Sequence, residues 1–162
     1  MGWSYDTTIH SSPATTAMTQ RTTPPVSFSR VHQRELVADF SAGHITSDAG
    51  LLLLREADRQ IGFVQAINSA IADPRIPERI VHPQSTLLAQ RLFALAAGYE
   101  DLNDHQRLRN DPLWQAATDH PEVDDSAELA SPPTLCRLEN RITRRDLVRI
   151  AAVLVDQFIA SF

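Results

Sequence analysis

The chain has 162 residues and a net charge of −5, enough length for one domain or one domain with tails, and the wrong overall sign for a protein that engages nucleic acid through its bulk field. The single cysteine, Cys136, excludes an internal disulfide and a cysteine-based zinc site and suits a reducing cytoplasm. No apolar run approaches the roughly 20 residues of a membrane span, and no basic start followed by an apolar stretch suggests a secretory signal.

Residues 1–28 are rich in Ser, Thr and Pro without periodicity, and are expected to form a disordered tail. Order is expected from Arg34. Leu36–Phe40 alternates apolar positions and predicts a strand, Ser41–Gly43 a turn, and His44–Thr46 the returning strand. A lone hairpin is marginal in water, so it needs a neighbour. Ser47 or Asp48 then stands ready to cap a helix with apolar Leu51, Leu52, Leu54 and Ala57, while Arg55, Glu56, Asp58 and Arg59 face out. Gly62 falls where a left-handed C-cap belongs. Phe63, Val64, Ile67 and Ile71 predict a second helix ending near Asp73-Pro74, with loop or a single turn over 75–81.

Pro83 opens the next helix, which carries Leu87, Leu88, Leu92, Leu95 and Ala96 to Gly98 and is the expected centre of the core. Residues 101–109 predict a short helix, and Asp111-Pro112 starts another through Leu113, Trp114 and Ala117. Residues 119–133 connect to a helix entered through Ser131–Thr134. Thr143 and Asp146 have capping-box spacing and open a last helix with apolar Leu147, Ile150, Ala151, Leu154 and Phe158, running to Phe162. The expected fold is mainly α: five to seven helices with a small N-terminal β-hairpin, in one region spanning 34–162.

Two stretches carry chemistry. Residues 98–112 read GYEDLNDHQRLRNDP, and Asp101, Asp104 and His105 share one helical face at spacing i, i+3, i+4. Three such ligands could hold a divalent metal. Capping explains them with fewer assumptions: Asp101 and Asp111 start helices and Asp104 pairs with Arg107. No metal site is therefore assigned there. The other histidines lack ligand spacing, and no nucleophile elbow, P-loop or dinucleotide motif occurs.

The second stretch is basic. All 15 positive residues are arginine, which fits codon bias and also suits two-oxygen phosphate contacts. Residues 99–130 hold nine acids against Arg107 and Arg109, whereas 135–162 hold five arginines against Glu139, Asp146 and Asp156. Arg137, Arg141, Arg145 and Arg149 recur every four residues with Arg144 beside them, in a helix–break–helix pattern. These five are the candidate DNA-binding residues. The competing reading is a solvated face in which Glu139 and Asp146 neutralise some of them and a break at 140–143 misaligns the row.

Several blocks then combine. They are Ile45–Gly50 followed by LLLLREAD, Asp73-Pro74-Arg75, QRLFALAAGYEDLNDHQRLRNDP, and Ser131–Asn140. In this order they resemble the N-terminal region of bacterial insertion-sequence transposases, the group-1 DDE transposases. The resemblance implies cut-and-paste DNA transposition. It also implies an RNase H-like catalytic domain in which two Asp and one Glu hold two Mg2+ ions for phosphodiester transfer. In that family the first catalytic Asp lies on a strand shortly after the helix that ends this sequence. The expectation is thus a chain truncated before the catalytic domain, with no catalytic residue and no cofactor of its own. It would bind DNA, namely transposon ends, could form a homo-oligomer, and would be cytoplasmic. Cys136, where the family pattern suggests Ser, and the long N-terminal tail depart from the pattern. A stand-alone helical DNA-binding or regulatory protein is the alternative, and a metal hydrolase built on Asp101, Asp104 and His105 ranks last.

Overall fold

The computed structural model describes residues 24–38, 48–120 and 128–162. Among them are a two-stranded hairpin, β1 (Val26–Val31) and β2 (Arg34–Ala38), and seven helices. The helices are α1 (Gly50–Ile61), α2 (Phe63–Ala70), α3 (Gln84–Ala96), α4 (His105–Leu108), α5 (Pro112–Ala117), α6 (Pro132–Arg141) and α7 (Arg144–Ala160). Single 3-10 turns occupy Pro77–Arg79 and Leu102–Asp104. The mainly α fold with a small hairpin is the one the periodicities predict.

The hairpin lies earlier than expected. β2 falls on the predicted strand, but its antiparallel partner is β1, with Val26 opposite Ala38 and Val31 opposite Arg34. β1 begins inside the Ser/Thr/Pro-rich stretch. The predicted return strand, His44–Thr46, lies outside the described residues. His32 makes the turn at φ 52, a left-handed conformation that His adopts more readily than most side chains. The alternation Val26-Ser27-Phe28-Ser29 was legible in principle, but the Ser-rich composition masks it.

Arg55 attaches the hairpin to the helices. It is only 1% exposed, not outward-facing as its charge suggested. Its position explains this, because it lies four residues after buried Leu51 and so on the same helical face. Its guanidinium donates to the carbonyls of Ser29 (2.8 Å) and Arg30 (3.0 Å), and from Nε and Nη2 to Asp119 Oδ1 (3.0 and 2.5 Å). Glu56 completes the junction by accepting from Ser29 N–H at 3.1 Å and Ser29 Oγ at 2.5 Å.

The core centres on α3, as expected. Leu87, Leu88, Phe93 and Ala94 meet Leu51, Val64, Ile67, Ile71, Leu108, Trp114, Leu129, Leu135 and Leu138. Asp48 does not cap α1 with its side chain: the N-cap is Ala49, without a side-chain bond, and Ser47 lies outside the described residues. Asp48 instead accepts from Tyr99 Oη at 3.0 Å and Trp114 Nε1 at 3.2 Å. Two aromatic donors leaving water each need an acceptor, and a carboxylate has room for both. Gly62 does end α1 in the left-handed region, at φ 67, with its N–H on Asp58 O at 2.6 Å.

The capping box forms: Asp146 N–H donates to Thr143 Oγ1 at 3.3 Å, and Thr143 N–H to Asp146 Oδ2 at 3.0 Å. Of the apolar face predicted for α7, Ile150 packs against the core and the rest does not. Leu147 is 57% and Phe158 65% exposed, and Leu154 is exposed too. The residues that pack are Ile150 and Val153, while Gln157 donates to Ile61 O at 3.2 Å. α7 leans on α2 along the line 146, 150, 153 and 157, which lies roughly 100° round the helix from 147, 151, 154 and 158.

Candidate nucleic-acid interface

α6 is fixed at its start by Gln90, which is fully buried on α3. The Gln90 carboxamide donates to Ala130 O at 3.0 Å and accepts from Ala130 N–H at 3.1 Å. Leu135 and Leu138 then turn inward, and this turns Cys136, Arg137 and Glu139 out to solvent. At Ile142 and Thr143 the backbone becomes extended (ψ 119 and 164), so α6 and α7 are separate helices. The four-residue spacing of arginines therefore does not make one straight row, as the alternative reading anticipated.

The five candidate arginines divide in consequence. Arg137 is exposed on α6, and Arg144, Arg145 and Arg149 are exposed on the first two turns of α7. Arg149 lies 3.6 Å from Asp146, one turn back. Glu139 pairs instead with Arg91 on α3, at 2.6 Å. Arg137, Arg144 and Arg145 consequently form no ion pair among the described residues. Arg141 differs: it is partly buried and donates to Asp73 Oδ1 at 3.1 Å and to Gln84 Oε1, tying the end of α6 to the segment before α3.

That segment brings in residues the sequence reading passed over. Arg75, Arg79 and His82 share with Thr134, Arg137 and Arg141 a groove of about 510 Å3. Arg75 grips Asp73 (Nε–Oδ1 2.8 Å, Nη2–Oδ2 2.6 Å) and reaches His82 O at 2.9 Å. The Arg75 hydrogen bonds, helped by Arg141, hold the Asp73 carboxyl down at about 2. Burial, then the positive charges around it, push the His82 imidazole below its usual range. The only sequence signal for this wall was Asp73-Pro74-Arg75, which served as one block of the resemblance and not as a site.

The acidic cluster at 98–112 is structural. Asp101 accepts from Asn103 N–H at 2.9 Å, and Asp111 from Leu113 N–H at 2.8 Å, so both cap as expected. Asp104 and Arg107 do not pair, because the chain passes there from a 3-10 turn into α4 and the spacing of an α-helix is lost. His105 turns into the core, fully buried, against Trp114. Its Nδ1 lies 3.1 Å from Gln90 Nε2, which can only donate, so the proton sits on Nε2. That Nε2 has no hydrogen-bond partner among the described residues. Among the described residues, no three His, Cys, Asp or Glu side chains converge where a metal could sit.

Burial first, then Arg91, lowers the pKa of His105 below its ordinary 6.5. The unfolded chain therefore takes up the proton before the folded one. Stability is full above about pH 6.5 and falls as the pH drops below it, with His82 acting in the same direction. Melting temperature should accordingly decline from neutral pH toward about pH 5. A melting temperature flat across that window would contradict the buried, neutral histidine.

The transposase DDE domain group 1 family model matches residues 28–162. The chain belongs to this transposase family. No curated protein and no solved structure matches it. For a DDE transposase the macromolecular partner is DNA. No helix among the described residues of the transposase is long and apolar enough to cross a membrane.

Proposed function

We propose that this part of the transposase binds DNA, at the transposon's own ends, and does not itself carry out strand transfer. The observation that carries the reading is the set Arg137, Arg144 and Arg145: three exposed guanidiniums, without carboxylate partners among the described residues, on consecutive helices joined by two extended residues. Arg149 adds a fourth charge that Asp146 partly offsets. Of the three residues considered as metal ligands, Asp101 accepts at a helix start and His105 is buried in the core, and they do not converge with Asp104 among the described residues. Arg141 supports the face from behind. Two copies, one on each transposon end and acting in the cytoplasm, complete the proposal.

The test is a binding titration of an inverted-repeat duplex at several salt concentrations. Each phosphate contact contributes roughly one to the log–log salt slope. Arg144→Ala/Arg145→Ala should lower the slope by about two and weaken binding about tenfold or more at moderate salt. Wild-type protein that fails to bind at low salt, or a double variant with an unchanged slope, would defeat the proposal.

A further inference from the structure

We infer that the groove between α6 and residues 73–83 is a second phosphate-binding site, which takes the sugar–phosphate backbone of the same DNA. This rests on the DNA-binding reading above. The groove gathers four guanidiniums, those of Arg75, Arg79, Arg137 and Arg141, with the Thr134 hydroxyl and His82. None of its lining residues is acidic. The neighbouring carboxylate, Asp73, is divided between Arg75 and Arg141. With Asp73 shared by two of the four guanidiniums and Glu78, beside Arg79, not lining the groove, the lining keeps an excess of positive charge.

The geometry favours a ligand over a merely solvated face. Asp73 and the His82 carbonyl pin the Arg75 guanidinium, and Asp73 with Gln84 pins that of Arg141, so both are ordered beforehand. The buried Nε of Arg141 has no partner among the described residues. Arg79, at the end of the turn Pro77–Arg79, is exposed and makes no ion pair among the described residues. Pro74, Val81, Leu87 and Leu138 supply apolar lining suited to a sugar edge. A space of about 510 Å3 suits one sugar–phosphate unit of the backbone at the edge of a duplex. Arg137 lines the groove and also belongs to the exposed face of α6, so one strand can pass from one set of charges to the other.

The decisive variant is Arg79→Glu in the full chain. Arg79 supports no other side chain, so the melting temperature should stay at the wild-type value. Affinity for the inverted-repeat duplex should fall about tenfold, and the salt slope should drop by about one. Wild-type affinity and slope in Arg79→Glu, with Arg144→Ala/Arg145→Ala still impaired, overturns the groove and leaves the DNA-binding reading standing. Absence of wild-type binding removes both. Inorganic phosphate, titrated calorimetrically, separates the occupants. Tight binding of phosphate that Arg79→Glu abolishes, with DNA affinity untouched, would reassign the groove to small anions and overturn the DNA occupant.

Discussion

Trp114→Ala is expected to cost about 3–5 kcal/mol of stability, the range for deleting a large aromatic from a packed core. The indole is wholly buried. It stands edge-on to Tyr99 at 5.6 Å between ring centroids, and edge-on to His105. Its N–H also satisfies Asp48, which has travelled 66 positions along the sequence to meet it. Truncation thus opens a cavity among three helices and removes a donor from a partly buried carboxylate. Small domains are stable by only about 5–15 kcal/mol, so the loss is a large share of the total. Urea unfolding measures it. Trp114→Phe, which keeps one six-membered ring and loses the rest of the indole with its N–H, should cost less, and equal losses in the two variants would show that the cavity is not the cause.

Arg55→Met should destabilise by about 3 kcal/mol, the lower end for breaking a buried ion pair. The lower end applies because Asp119 stays half exposed and can rehydrate once its partner has gone. The main loss falls on the Ser29 and Arg30 carbonyls, which give up their donors where β1 meets α1. Arg55→Lys should recover little, since one ammonium cannot reach two carbonyls and two carboxylates from a single position. A methionine variant within about 0.5 kcal/mol of wild type, the range of ordinary surface changes, would show that the hairpin is held by other contacts.

The helices were legible because their signals are local. Pro83, Gly62, Asp111-Pro112 and the Thr143–Asp146 box each act within a turn or two, so sequence order is sufficient to read them. What escaped depends on partners distant in sequence. Arg55 looks like a surface residue until Asp119 and the hairpin carbonyls meet it. Asp48 looks like a cap until Tyr99 and Trp114 compete for it. Of the face predicted for α7 only Ile150 packs, because nothing local says that α7 leans chiefly on α2. The proposed binding face was half legible: the arginines of α6 and α7 stand in sequence, whereas Arg75 and Arg79 come beside Arg137 and Arg141 only through the fold.

The pairing of Gln90 with the Ala130 peptide has a thermodynamic consequence. A side-chain amide on α3 matches a backbone amide as one strand matches another, and so sets where α6 starts. Asp73 and Gln84 hold the other end of α6 through Arg141, and the capping box sets the first turn of α7. The proposed DNA-binding face is therefore held in place by contacts of its own before any partner arrives. Little ordering entropy remains to be lost on association, and the heat-capacity change should be small beside that of a segment that folds as it binds.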